Sequence, residues 1–290
     1  MYTNILVPLD GSKSSEQILP YARLLAGAFH IPVNLLHVQG EDIALALTPP
    51  QQDREYLSKI AEEHFPRSTK IRYSAEMGKP AELIVERAAV DHSTIIAMAT
   101  HGMSGMRRWV LGSTASKVVR SAENPVLLVR PFEAEPHQPI LLKTLLVPLD
   151  GSMVAEKIFP HVIALANALD LEANLVRVHR TPLESYTVGV GLPAGVFSEP
   201  RDAVQNPVME YLDGRAQSLE AEGLRRVNSF AMEGDAAGEI IDAARKTAGC
   251  MIAMTTHGES GIKRWLLGSV AEKVVQHSAA PVLLIRPDMT

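Results

Sequence analysis

The chain has 290 residues, of which 46% are hydrophobic and 21% charged, and carries a formal net charge of −5. This is the balance of an ordinary globular protein, long enough for two domains that each bury a core, and its slight acidity argues against a broad electrostatic hold on nucleic acid or on an anionic membrane surface. The single cysteine, Cys250, excludes an intrachain disulfide and a cysteine-built metal cluster and suits a reducing cytoplasm; its apolar setting, CMIAM, reads as a buried, inert thiol.

The opening segment, MYTNILVPLDGS, has no basic region, no apolar stretch of signal-peptide length and no small-residue cleavage site, and reads as the first strand of the fold. No apolar run approaches the ~20 residues that span a bilayer, so a soluble cytoplasmic protein without a membrane or nucleic-acid partner is expected. Downstream, short apolar runs bounded by turn signals alternate with amphipathic segments, the pattern of βαβ units and a parallel sheet. Strands are expected near 4–8, 33–38, 71–76, 94–98 and 125–129, with helices near 13–29, 53–65, 80–91 and 113–122. Pro20 removes one backbone hydrogen bond from the first helix and is expected to kink it or displace its start, as Pro160 does in the second half. Around 132–141 charge, proline and loss of periodicity coincide, marking a short linker between domains expected at 1–132 and 142–290.

The second domain repeats the first. NILVPLDGS, from Asn4, returns as TLLVPLDGS from Thr144, an offset of 150 − 10 = 140 between Asp10 and Asp150. THGMSGMRRWVLGSTASKVVR, from Thr100, returns as THGESGIKRWLLGSVAEKVVQ from Thr256, an offset of 258 − 102 = 156 between Gly102 and Gly258. Val38 and Val178 keep the first offset and Gly78 and Gly234 the second, so 156 − 140 = 16 extra residues lie between Val178 and Gly234. The Gly- and Pro-rich segment TPLESYTVGVGLPAGVFSEPRD, from Thr181, has no helical or strand period and is expected to hold them as a long loop over one face.

Each copy carries Gly, nine residues, then Gly-Ser: Gly102 to Gly112-Ser113, and Gly258 to Gly268-Ser269. A side chain at Gly102 or Gly112 would stand between a phosphate and the backbone N–H groups. Ser113 and Ser269 fall at the expected helix N-cap, where a hydroxyl bonds either the free helix N–H groups or a phosphate oxygen. Ligands of open parallel sheets bind at the carboxyl ends of the strands, where strand order reverses, and the Asp-Gly-Ser after strand one and the glycine loop after strand four both lie on that edge. Asp10 and Asp150 can accept hydrogen bonds from ribose hydroxyls or an adenine amino group. Val38 and Val178 offer apolar edges to a base, and Met98 and Met254, near the end of strand four, complete the two candidate sets.

Asp-Gly and Gly-Ser are also plain turn and cap signals; found together, in order and twice, they favour a ligand. The pairs Arg107-Arg108 and Lys263-Arg264 either face a triphosphate or form a solvated loop tip. His101 and His257 either bond a phosphate or fix the turn. No histidine pair has metal-ligand spacing, no G-x-x-x-x-G-K-[ST] supports P-loop phosphoryl transfer, no G-x-G-x-x-G follows strand one, and no G-x-S-x-G elbow is present.

The strand-one ending VPLDGS, the Thr-His-Gly with nine residues before Gly-Ser, and the closing PVLLVRP together resemble the universal stress protein family in its tandem two-domain form, over essentially the whole chain. The resemblance implies two tandem open α/β domains, each a five-stranded parallel sheet of order 3-2-1-4-5 with helices on both faces, and ATP binding in many members. It also implies association through the last strand, 126–130 and 282–286 here, so that the two copies pair as an internal pseudo-dimer and leave other surfaces for a homodimer. ATP-binding members show Gly-x-x-Gly-x9-Gly-Ser; Ala99 and Thr255 replace the first glycine here, and Thr255, being β-branched and stiff, makes the second site the weaker. The expected function is nucleotide-dependent binding or regulation in a stress response. ATP is the cofactor, with an unidentified protein partner and no catalytic residue. The alternatives are slow Mg²⁺-assisted ATP hydrolysis with Asp10 or Asp150 as base, and a nucleotide-free scaffold that uses the 181–205 insertion.

Overall fold

The protein was analysed as a computed structural model that describes residues 1–40, 50–101, 111–131, 140–180, 201–258 and 267–287. In the first copy β1 (Asn4–Leu9), α1 (Lys13–Glu16), α2 (Leu19–Phe29), β2 (Val33–Gln39), α3 (Pro50–His64), β3 (Ile71–Met77), α4 (Pro80–Ala89), β4 (Thr94–Ala99), α5 (Ser113–Ser121) and β5 (Val126–Val129) follow in order. The second copy repeats them as β6 (Thr144–Pro148), α6 (Met153–Glu156), α7 (Phe159–Leu169), β7 (Glu172–His179), α8 (Arg201–Ala221), β8 (Val227–Glu233), α9 (Ala236–Lys246), β9 (Cys250–Thr255), α10 (Ser269–His277) and β10 (Val282–Ile285).

The prolines displace helix starts rather than bend helices. The expected helix at 13–29 is two helices: α1 ends at the Gln17 cap, and α2 restarts after Ile18 with Pro20 in its first turn, where a missing N–H costs nothing. Pro160 does the same for α7.

All strands join one ten-stranded sheet of order β3-β2-β1-β4-β5-β10-β9-β6-β7-β8. Each half is parallel and reads 3-2-1-4-5 from its own outer edge. The halves meet antiparallel through β5 and β10, with Val282 opposite Leu128, Leu283 opposite Leu127 and Leu284 opposite Val126. Because side chains alternate across a strand, Leu127, Val129, Leu283 and Ile285 enter one core, and Val126, Leu128, Val282 and Leu284 enter the other. The first core lies under α2, α3, α7 and α8, and the second under α4, α5, α9 and α10. Each runs without a break through both copies.

Polar contacts repeat this two-fold relation. Arg130, just past β5, donates to the carbonyl of His277 at the end of α10 (3.4 Å), and Arg286, just past β10, donates to the carbonyl of Ser121 at the end of α5 (3.5 Å). Both place a cation where a helix leaves its last carbonyls unpaired and its dipole negative. Arg120 and Glu272 bridge α5 and α10 at 3.6 Å.

The extra residues of the second copy divide unevenly. Tyr56 donates to Glu16 at 3.1 Å, and Tyr211 donates to Glu156 at 2.8 Å. These matched pairs set the α3-to-α8 offset at 211 − 56 = 155, so fifteen of the sixteen residues precede this point of α8 and 156 − 155 = 1 follows it. The segment expected as a loop ends sooner than its composition suggests, because α8 is already helical at Arg201 and carries Pro207 inside it. Residues 181–200 and most of the linker, 132–139, lie outside the described residues.

Cys250 is buried, and burial pushes its thiol up to about 12, as an inert core cysteine requires. Among the described residues, no helix is long and apolar enough to cross a membrane.

On the first core's side the copies also meet at a buried polar contact: the Tyr2 hydroxyl and His161 Nδ1 are 2.7 Å apart. Burial pulls His161 down to about 4, so near neutrality the imidazole is uncharged and shares a hydrogen bond with the phenol. In the unfolded chain the same group titrates at about 6.5. Between those values the unfolded state binds more protons, so this contribution to stability is complete above about pH 6.5 and is lost as pH falls toward 4. Urea unfolding at pH 7.5 and pH 5.0 checks this: the midpoint of the wild type falls between the two, and that of His161→Phe falls measurably less. Equal falls would remove His161 as the cause.

Candidate functional site

Strand order reverses between β1 and β4, and again between β6 and β9, and a cavity opens over the carboxyl edge at each point. The first measures about 480 Å³ and the second about 150 Å³.

Of the residues singled out in the first copy, Asp10, Val38, Met98, Gly112 and Ser113 all line the larger cavity, together with Ala99 and His101. Asp150, Val178, Met254, Gly258, Gly268 and Ser269 line the smaller one, with Thr255 and His257. Gly102 and the basic pairs Arg107-Arg108 and Lys263-Arg264 lie outside the described residues.

Asp10 has a structural task. Its Oδ1 accepts from the Ser12 backbone N–H (3.0 Å) and the Ser12 hydroxyl (2.6 Å), while the Ser12 hydroxyl accepts from the N–H of Ser15 at 3.1 Å to cap α1. Asp150 and Ser152 build the same turn at 2.9 and 2.6 Å. The Asp-Gly-Ser motif therefore makes a rigid turn and presents a carboxylate to the cavity at once.

Gly112 and Gly268 serve a nearer neighbour than a ligand. A Cβ on Gly112 would sit 2.9 Å from the carbonyl oxygen of Thr100, and one on Gly268 3.1 Å from that of Thr256. Each glycine N–H donates to that same carbonyl, at 2.9 and 2.8 Å, so the loop closes backbone on backbone. A side chain there collides with the protein's own main chain.

The expected N-cap is displaced by one residue. Gly112 and Gly268 are the caps, extended in backbone and accepting the first helical bonds from Ser116 and Glu272 at 2.8 Å each, and Ser113 and Ser269 are the first helical residues. A serine already in helical conformation does not turn its hydroxyl back onto the first-turn N–H groups as an extended cap residue does. The helices α1, α6 and α9 have side-chain caps, from Ser12, Ser152 and Asp235; α5 and α10 have none. Their first turns border the cavities, which Ser113, Thr114 and Ala115 line in one copy and Ser269, Val270 and Ala271 in the other, the place where a helix leaves N–H groups for an anion.

His101 and His257 are tied to the hydroxyl of the preceding threonine, at 3.0 Å from Thr100 and Thr256 to Nδ1. Burial first, then the Arg130 guanidinium, lowers the His101 imidazole below its ordinary range; burial and Arg286 do the same for His257. Both are neutral near pH 7. Nε2 of His101 is buried without a hydrogen-bond partner among the described residues.

Several lining residues had no motif to announce them: Ser15, His37, Gln39, Gly40 and Asp53 in the larger cavity. His37, Gln39 and Gly40 flank Val38 at the end of β2 and were findable once Val38 was placed there. Asp53 had no signal, because it arrives on α3 after a separate stretch of chain.

Comparison with known proteins agrees with the double fold. The Universal stress protein family matches residues 1–130 and again 142–286. The chain belongs to the universal stress protein family. A universal stress protein of Methanocaldococcus jannaschii is 32% identical over 147 residues, 50% of this chain and 83% of that protein. One of Mycobacterium tuberculosis is 25% identical over 301 residues, 97% of this chain and 96% of its own, so a universal stress protein of the same tandem length exists there. Among solved structures, a universal stress protein from Archaeoglobus fulgidus superposes with a TM-score of 0.70 at 19% identity, covering 99% of this chain and 97% of that one, which shows a shared fold.

Within this universal stress protein the glycine contacts set an order of tolerance. Gly112→Ala forces the Thr100 carbonyl to yield and destabilises the fold by about 1–3 kcal/mol. Ala at Gly27, where an added Cβ meets nothing within 4 Å, does not. Thermal unfolding of the two variants checks this; equal melting temperatures would contradict the close approach.

Proposed function

We propose that the first copy holds ATP or a closely related adenine nucleotide, and that the protein acts in a stress response by nucleotide-dependent binding to, or regulation of, a partner. The observation that carries the reading is the 480 Å³ cavity at the β1/β4 reversal, lined by the uncapped N-terminus of α5, by the carboxylates of Asp10 and Asp53 and by strand ends. The donor set fits such a ligand. Backbone N–H groups of the first turn of α5 and the Ser113 hydroxyl suit phosphate oxygens, Val38 and Met98 suit a base, and Asp10 accepts from hydroxyl or amino donors. The buried Nε2 of the neutral His101, without a hydrogen-bond partner among the described residues, adds polar capacity at this edge.

Holding is favoured over hydrolysis because Oδ1 of Asp10 already accepts two hydrogen bonds from Ser12, which fixes the carboxylate as part of a turn. Homodimerisation and a cytoplasmic location belong to the same proposal. Since β5 and β10 pair with each other, a second copy of the chain docks elsewhere.

Ser113→Glu separates ligand from fold. An acidic residue in the first turn of α5 favours the helix dipole by about 0.3–1 kcal/mol but repels phosphate. The variant melts no lower than wild type and loses at least tenfold in ATP affinity by calorimetric titration. Wild-type protein that releases no nucleotide on denaturation and shows no heat with ATP, ADP or AMP would end the proposal.

A further inference from the structure

The two cavities share most of their lining, and the larger one extends further on one side. That extension is formed by His37, Gln39, Gly40 and Asp53, and Ser15 borders it. By the 140 and 155 offsets, the second copy carries Arg177, His179, Arg180, Val208 and Ala155 at these places, and of the five only Ala155 lines its cavity.

The substitutions close the second copy physically. Arg177 lays its guanidinium over Gly151, so closely that a Cβ there would meet it at 2.7 Å, and packs on the Tyr211 ring at 5.0 Å. Val208, 7% exposed, joins the core where Asp53 faces a cavity. Asp150 rests against Gly258, where any Cβ would collide with its carboxylate.

The first copy has the opposite character. The Asp53 side chain is 14% exposed, and Nε2 of His37 stands 3.7 Å from its Oδ1, too far for a hydrogen bond. Nδ1 of His37 is itself buried without a partner among the described residues. A carboxylate this shielded costs stability unless donors reach it. Here it lines the same cavity as Ser113, Thr114 and Ala115, the first turn of a helix with no side-chain cap, whose N–H groups suit an anion. Together the two features select one chemistry: a molecule that carries both phosphate and hydroxyl donors. The Glu16–Tyr56 hydrogen bond ties α3, and with it Asp53, to the turn that carries Asp10.

Resting on the nucleotide reading above, we infer that Asp53, held beside His37, is a specificity-determining residue that accepts hydrogen bonds from ribose hydroxyls. The second copy, with Val208 and Arg177 in those places, retains no nucleotide, so the chain binds one ribonucleotide.

Calorimetric titration of the full chain with ATP, 2′-deoxy-ATP, 3′-deoxy-ATP and inosine triphosphate tests this in wild type, Asp53→Ala and the isosteric Asp53→Asn. The wild type binds one ATP per chain and at least one deoxy analogue about tenfold or more weakly, the range of a hydrogen bond to a charged group. Asp53→Ala binds ATP about tenfold more weakly and no longer distinguishes it from that analogue, and Asp53→Asn shrinks the same ratio while keeping the shape of the site. Two equivalents of ATP at equal affinity would overturn the inference. So would a deoxy ratio unchanged in both variants, or an Asp53 effect on ATP against inosine triphosphate in place of the ribose analogues. Tight ATP binding with any of these results leaves the nucleotide reading standing, whereas no binding of any nucleotide by wild type removes both.

Discussion

Strands β5 and β10 are four residues each, all of their side chains are buried, and their antiparallel pairing joins the two parallel half-sheets. The rest of the architecture follows from it. Antiparallel pairing points the carboxyl ends of the two half-sheets in opposite directions, so the two cavities lie on opposite edges of one sheet. The pairing also buries an edge that each half would otherwise leave open, and it makes both cores continuous across the copies. Arg130 and Arg286 then reach across the seam to the ends of α10 and α5, the helices that begin at the opposite copy's cavity.

Symmetry of frame does not impose symmetry of site. Backbone features recur in both copies: the Asp-Ser turn, the glycine closed on a threonine carbonyl, and the uncapped helix. The differences lie in side chains from β2 and α3 against β7 and α8. His37 and Asp53 leave a polar extension in the first copy, and Arg177, stacked on Tyr211 over the Gly151 turn, covers the corresponding place in the second. The duplication thus leaves one larger and one smaller cavity on a single frame.

The strands were legible because their residues answer to one rule each: NILVPL and TIIAMA are apolar runs that end at turn signals, and they form β1 and β4 within a residue of the expected bounds. The pairing of β5 with β10 was accessible only through family resemblance, since VLLV and VLLI carry no mark of their partner. Ser113 was read as a cap because serine favours that position, but the close approach to Thr100 makes Gly112 the extended residue and moves serine into the helix. Gly112 was read as space for phosphate, whereas the nearest atom to a Cβ there, as at Gly268, is a main-chain carbonyl oxygen, and Gly258 lies against the Asp150 carboxylate. Asp53 stayed hidden because its place depends on where a distant helix is docked, through Leu57 and Ile60 in the core and a part-buried Glu16–Tyr56 hydrogen bond.

Amide hydrogen exchange of the full chain, with and without ATP, tests the account most directly. The account predicts that Val126–Val129 and Val282–Ile285 are among the slowest amides in both states, and that ATP adds protection at His37–Gly40 and Ser113–Ala115 while leaving Arg177–Arg180 and Ser269–Ala271 unchanged. Fast exchange along both central strands, or equal ATP protection of the two copies, would contradict it.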